Sequence, residues 1–176
     1  MDPYERRARA ELYRNPWLAF EVHEIVHPTG VPGEHGLLVT PPASAVLVVD
    51  RDAFIFARQP RFAARDTVIE VVKGGAEPGE TALACAKREL REELGMEAAT
   101  WTALGRSWEI PSIVAHPVAI FLASDLRDVA SEQEDVERVE RLRIARGDAY
   151  EAALDGRIDD AITLAALLRY RLLAPT

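Results

Sequence analysis

The sequence predicts a mixed α+β domain, and three of its features carry that prediction. Short runs rich in β-branched and aromatic residues recur, among them Ala45-Val-Leu-Val-Val49 and Phe54-Ile-Phe-Ala57. Two other stretches, Thr81 to Leu94 and Asp159 to Leu173, place apolar residues at helical spacing instead. With 176 residues, 48% of them apolar, the chain can bury one real core and is short for two.

In order along the chain, Met1 to Arg14 is polar and helix-tolerant, and Asn15-Pro16 breaks it. Leu18, Phe20, Val22 and Ile25 then read as a strand. The proline- and glycine-rich turn from His27 to Gly33 joins it to a second apolar run at Leu37 to Val39, which makes a hairpin. Ala45 to Val49 and Phe54 to Ala57 are buried strands linked through Asp50-Arg-Asp52, and Val68 to Val72 is a further strand ending at Lys73-Gly74-Gly75. The Thr81–Leu94 helix carries Leu83, Ala86, Leu90 and Leu94 on its apolar side, with Gly95 as its stop. Val118 to Leu122 and Val139 to Ile144 read as strands flanking an acidic loop, Asp125 to Glu137. The chain closes on the second helix, apolar at Ile162, Leu164, Leu167, Leu168 and Leu172.

Charge and composition narrow the function. The 29 acidic residues outweigh 21 basic ones for a net charge of −8, which argues against a nucleic-acid polymer as partner and suits a small substrate that arrives with metal ions. No apolar run approaches the ~18 residues of a membrane span, and Met1 to Ala10 is charged where a secretory signal would be apolar. A lone cysteine, Cys85, forms no internal disulfide. The expectation is a cytoplasmic protein that does not engage membranes.

On the first helix, Glu89, Glu92 and Glu93 stand at i, i+3 and i+4, within an arc of about 80 to 100°. Glutamates on a helix usually form a solvated face, and Arg88 could support this one. Three carboxylates so close also repel one another unless a cation sits among them, and such hard oxygen ligands suit Mg²⁺ or Mn²⁺. The wider spacing decides between the two readings. Five residues separate Gly74 from Glu80, seven more lead to Arg88-Glu89-Leu90, and Arg91, Glu92-Glu93, Leu94, Gly95 and Met96 follow. This pattern resembles the Nudix box at every fixed position. Chance would produce such a match in fewer than roughly one window in ten million.

The resemblance implies a Nudix fold, an α/β/α sandwich with a mixed central sheet, preceded by a β-hairpin. It also implies two regions: residues 1–40 as an N-terminal segment serving dimerisation, and 41–176 as the hydrolase domain with the box at 74–96. Glu89, Glu92 and Glu93 would be metal ligands, joined by the backbone carbonyl of Lys73. Gly74, Glu80, Arg88 and Gly95 would be structural, with Arg88 and Glu80 paired to orient the glutamates. The metal would activate water for attack on phosphorus. Glu92 and Glu93 would be catalytic through that metal, and the base that takes the proton would come from the acidic loop, where Glu132, Glu134 and Asp135 are the candidates and an exposed loop without a role is the alternative.

Beyond the box, the sequence is similar to the ADP-ribose pyrophosphatase and ADP-compounds hydrolase branch. Arg58-Gln59-Pro60-Arg61 matches a segment where a basic residue meets a substrate phosphate, with a surface salt bridge as the alternative for Arg61. Glu70 could reach the metal or a ribose, or simply be solvated. Trp17 matches an aromatic that stacks on adenine, with core packing as its alternative. The branch implies hydrolysis of ADP-ribose or a related ADP compound to AMP and a phosphorylated moiety, by a homodimer. Two rivals share the box: a nucleoside triphosphate pyrophosphohydrolase releasing pyrophosphate, and a non-catalytic Nudix domain that senses a ligand.

Overall fold

Alternation along its central strand sets the architecture of the larger part of this chain. A computed structural model describes residues 3–130 and 138–173. In chain order the elements are β1 (Glu5–Arg14), β2 (Ala19–Val26), β3 (Pro32–Val39), β4 (Ala43–Asp50), β5 (Ala53–Arg61), β6 (Asp66–Glu70), β7 (Val72–Gly75), α1 (Ala82–Leu94), β8 (Met96–Trp108), β9 (Val114–Ala115), β10 (Pro117–Asp128), β11 (Glu140–Ala145), α2 (Arg146–Asp155) and α3 (Ala161–Leu173). They fall into two units. One takes its described residues from Met1–Pro42 and Trp108–Pro117, the other from Ala43–Ser107 and Val118–Thr176.

In the larger unit the sheet runs β11-β5-β4-β10-β8, with β6 added to β5 and β7 to β4. The sheet is mixed, because β10 runs parallel to β4 while β5, β7 and β11 pair antiparallel. Side chains alternate between the faces of a strand, so a strand covered on both sides is apolar throughout. On β4, Ala45 and Leu47 join Phe54 and Phe56 of β5 in a core with Ala149, Ala152, Ile162, Ala166 and Leu167 of α2 and α3. Val46 and Val48 face the other way, with Ile55 and Ala57, onto Ala86, Leu90 and Leu94 of α1. Helices therefore cover both faces, the α/β/α arrangement that the box implied.

The smaller unit is a four-stranded sheet in the order β1-β2-β3-β9. The hairpin lies where the turn residues placed it: β2 and β3 pair from Ala19↔Val39 to Val26↔Pro32, around Gly30 at φ 83°. The helix-tolerant reading of the first residues is corrected. Glu5–Arg14 is a strand, antiparallel to β2 from Glu5↔Val26 to Arg14↔Ala19. All ten of its residues are exposed, so its sequence carries no apolar period; backbone pairing holds it to β2, with Arg9 reaching Glu21 at 3.2 Å. Among the described residues no helix is long and apolar enough to cross a membrane.

Candidate active site

The helix α1 begins and ends on local signals. The Thr81 side chain caps it by accepting from Ala84 N at 3.2 Å, and Gly95 closes it in the left-handed region at φ 57°, its N–H returning to Arg91 and Leu90 carbonyls. Its buried stripe comprises Cys85, Ala86, Glu89, Leu90, Glu93 and Leu94. Two carboxylates thus lie in an otherwise apolar stripe, Glu89 being 9% exposed and Glu93 5%. Buried carboxylates are costly unless compensated by positive charge or hydrogen bonds.

The strand β7 lays the glycine segment against this stripe. Gly74 pairs with Ser44 of β4, whose hydroxyl donates to the Ala82 carbonyl at 2.7 Å, while the Cys85 thiol donates to the Gly74 carbonyl at 3.4 Å. Cys85 is buried, and desolvation pushes its thiol above the usual range, consistent with a small apolar residue under the loop. A Cβ on Gly74 would land on the Glu89 carboxyl. A side chain there would displace that carboxyl, whereas Gly79 at φ 83° is favoured by its backbone conformation.

Arg88 organises the carboxylates. Its Nε and Nη2 bond both oxygens of Glu80 at 3.1 Å, and Nη2 also donates to the Gly75 carbonyl at 2.8 Å. Nη1 bridges Glu89 at 2.7 Å and Glu92 at 2.8 Å. Hydrogen bonding to Glu80, with the charges of Glu89 and Glu92, holds the guanidinium firmly protonated, and Arg88 in turn draws the Glu80 carboxyl below its ordinary range. One positive group already sits between two of the three glutamates. Accordingly, among the described residues no three acidic, histidine or cysteine side chains close around a common point. The donor set nevertheless fits a hard divalent cation: clustered carboxylate oxygens, already drawn to a positive centre, beside a strand end without side chains at Gly74 and Gly75.

Glu70, Arg61 and Lys73 come together in a second network. Glu70, 1% exposed, receives Arg61 Nε at 2.6 Å and Lys73 Nζ at 3.0 Å. Lys73 Nζ also meets Asp160 Oδ1 at 2.5 Å, and Asp160 Oδ2 accepts from the backbone N and hydroxyl of Thr163 at 2.9 and 2.7 Å, capping α3. Thr163 Oγ1 in turn accepts from Val71 N at 2.9 Å. Burial disfavours charge on Lys73, but Glu70 and Asp160 outweigh it and the ammonium is held above its ordinary value. Burial likewise opposes ionisation of Asp160, and Lys73 and Thr163 reverse it, leaving the carboxyl below the ordinary range. Sequence reasoning singled out Glu70 and Arg61 separately and missed Asp160 and Thr163. Their signal was an Asp-x-x-Thr spacing at the start of a helix.

The remaining expected residues lie apart. Arg58 pairs with Glu140 at 3.3 Å, both exposed. Trp17 belongs to the smaller unit and is 74% exposed, so the core-packing alternative does not hold for it. The base candidates Glu132, Glu134 and Asp135 lie outside the described residues.

Known proteins resemble this chain in the same terms. It is similar to the NAD-capped RNA hydrolase NudC of Pseudomonas fluorescens, 35% identical over an alignment of 92 residues that covers 46% of this chain and 33% of that protein. It thus spans about a third of the length of that relative. It is also similar to the ADP-ribose pyrophosphatase of Escherichia coli, 33% identical over 129 residues, 66% of this chain and 60% of that one. Its fold matches a solved structure described as the crystal structure of ADP compounds hydrolase, with TM-score 0.85 and 22% identity over 96% of this chain and 92% of that one. The NUDIX domain model matches residues 39–164, well over half of the sequence, and the chain belongs to that family.

Proposed function

We propose that this protein hydrolyses the pyrophosphate bond of a nucleoside diphosphate derivative, ADP-ribose or a related ADP compound, to AMP and a phosphorylated moiety. One observation carries the reading. Three carboxylates share one side of α1, two of them buried, against a strand end where a Cβ has no room beside Glu89.

Glu89, Glu92 and Glu93, with the Lys73 carbonyl, would hold Mg²⁺ or Mn²⁺. When bound, the ion supplies charge neutralisation of the pyrophosphate and acidification of the attacking water. Arg88, itself fixed by Glu80, gathers Glu89 and Glu92 on one side of α1, within reach of a shared cation. Arg61, held by Glu70 through Nε, would meet a substrate phosphate, with Arg58 three residues earlier on the opposite face of the strand. Trp17 would stack on the adenine. The proton from water would pass to one of Glu132, Glu134 and Asp135, with Glu92 and Glu93 acting through the metal they hold. We assign the protein to the cytoplasm as a homodimer joined through residues 1–40, with 41–176 carrying the chemistry.

The similarity to ADP-ribose pyrophosphatase favours ADP-ribose, and that to NAD-capped RNA hydrolases favours a dinucleotide such as NADH as a second reading. Incubation with ADP-ribose, NADH, sugar nucleotides and (d)NTPs under Mg²⁺ or Mn²⁺, with products resolved, tests both. AMP from ADP-ribose or NADH supports the proposal. Pyrophosphate from triphosphates alone would replace it with the sanitising rival, and binding without turnover of any compound would replace it with a sensor.

A further inference from the structure

Gln59 lies on β5 between Ala57 and Arg61, and strand alternation puts all three on one face of the sheet. That face is the one packed by α1, since Ala57 belongs to the core shared with Ala86 and Leu90. Across the β5–β6 ladder, Glu70 stands opposite Ala57 and Val68 opposite Gln59, so the Arg61–Glu70 ion pair neighbours the Gln59 side chain.

Gln59 is only 6% exposed, and its Nε2 has no hydrogen-bond partner among the described residues. Buried amide groups are almost always satisfied, because an unmet donor loses water and gains nothing. A methionine would fill similar space without that penalty. A neutral N–H donor beside an arginine, on the sheet face that α1 covers, calls for an acceptor oxygen from outside the chain. We infer that Gln59 is a substrate-binding residue whose Nε2 donates to a phosphate oxygen of the diphosphate ligand. The inference rests on the function proposed above and adds a contact to it.

The test compares wild type with Gln59→Met and Gln59→Glu. Removing an unmet buried donor should leave the melting midpoint of ligand-free Gln59→Met equal to or above that of wild type. Its KM for the preferred ADP compound should rise about tenfold with kcat little changed, the pattern of a lost binding contact. Calorimetric binding of ADP-ribose in EDTA should weaken by a similar factor. Gln59→Glu keeps the shape but replaces donors with negative charge, so its KM should rise further. Unchanged KM and affinity in both variants would overturn the inference, as would a lowered melting midpoint in Gln59→Met with unchanged KM, which would mark an internal structural role. Those outcomes with an active wild type defeat this contact alone. A wild type that neither binds nor hydrolyses ADP-ribose or NADH defeats the functional reading with it.

Discussion

The space a side chain would need at Gly74 is filled by the carboxyl of Glu89. The obstacle is the far end of a flexible side chain, so Gly74→Ala can be accommodated by swinging Glu89 away. The prediction is a folded protein whose melting midpoint drops by only a few degrees. Its Mn²⁺ affinity, measured calorimetrically, should nonetheless fall at least about tenfold, because one carboxylate has left the set. Wild-type affinity in this variant would show that the position of Glu89 does not matter to the metal.

Arg88 bridges Glu80, Glu89, Glu92 and the Gly75 carbonyl, and no other residue type offers a planar fork of five donors. Removing it in Arg88→Ala leaves three neighbouring acids on α1 without that charge. Because the pairs are partly exposed, the expected cost is about 1–3 kcal/mol in metal-free buffer. Saturating Mg²⁺ should recover part of that loss in the variant, since a second cation can answer the same repulsion. Thermal melts of wild type and variant with and without Mg²⁺ measure this, and an equal deficit under both conditions would contradict it.

Lys73 and Asp160 tie β7 to the start of α3. Asp160 is depressed, so its contribution to stability is present above its unfolded value near 3.9 and is lost as pH falls through the lower folded value. Lys73 is raised, so its contribution is complete below about 10.4 and is lost as pH rises through the higher folded value. Asp160→Asn should therefore be destabilised by about 1–3 kcal/mol at pH 7, with the deficit shrinking in strong acid. Denaturant midpoints from pH 2 to 8 give the comparison. A deficit that stays constant to pH 2 would rule out the ion pair as its source.

What the sequence disclosed follows from where the information is stored. The helix α1 was readable to within a residue because Thr81 and Gly95 act locally, and β4 and β5 because burial on two faces leaves continuous apolar runs. The strand β1 was not, since exposed residues need no pattern when pairing is through the backbone. The helix α2 buries only Ala149 and Ala152, too little to mark a period, and β8 mixes small, polar and aromatic residues along thirteen positions. In the site, Glu89, Glu92 and Glu93 were legible through spacing. The placement of Glu70 among Arg61, Lys73 and Asp160 was not, because its partners meet only after the sheet and α3 assemble.

On the function proposed here, the α1 carboxylates bind the divalent cation on which turnover depends. Calorimetric titration of wild type, Glu92→Gln and Glu93→Gln with Mn²⁺, alongside turnover of the preferred substrate, tests it most directly. Wild type should show a saturable Mn²⁺ site, weakened in each variant, with kcat down by at least about 10²–10³-fold while circular dichroism stays native. Wild-type Mn²⁺ affinity and turnover in both variants would contradict it.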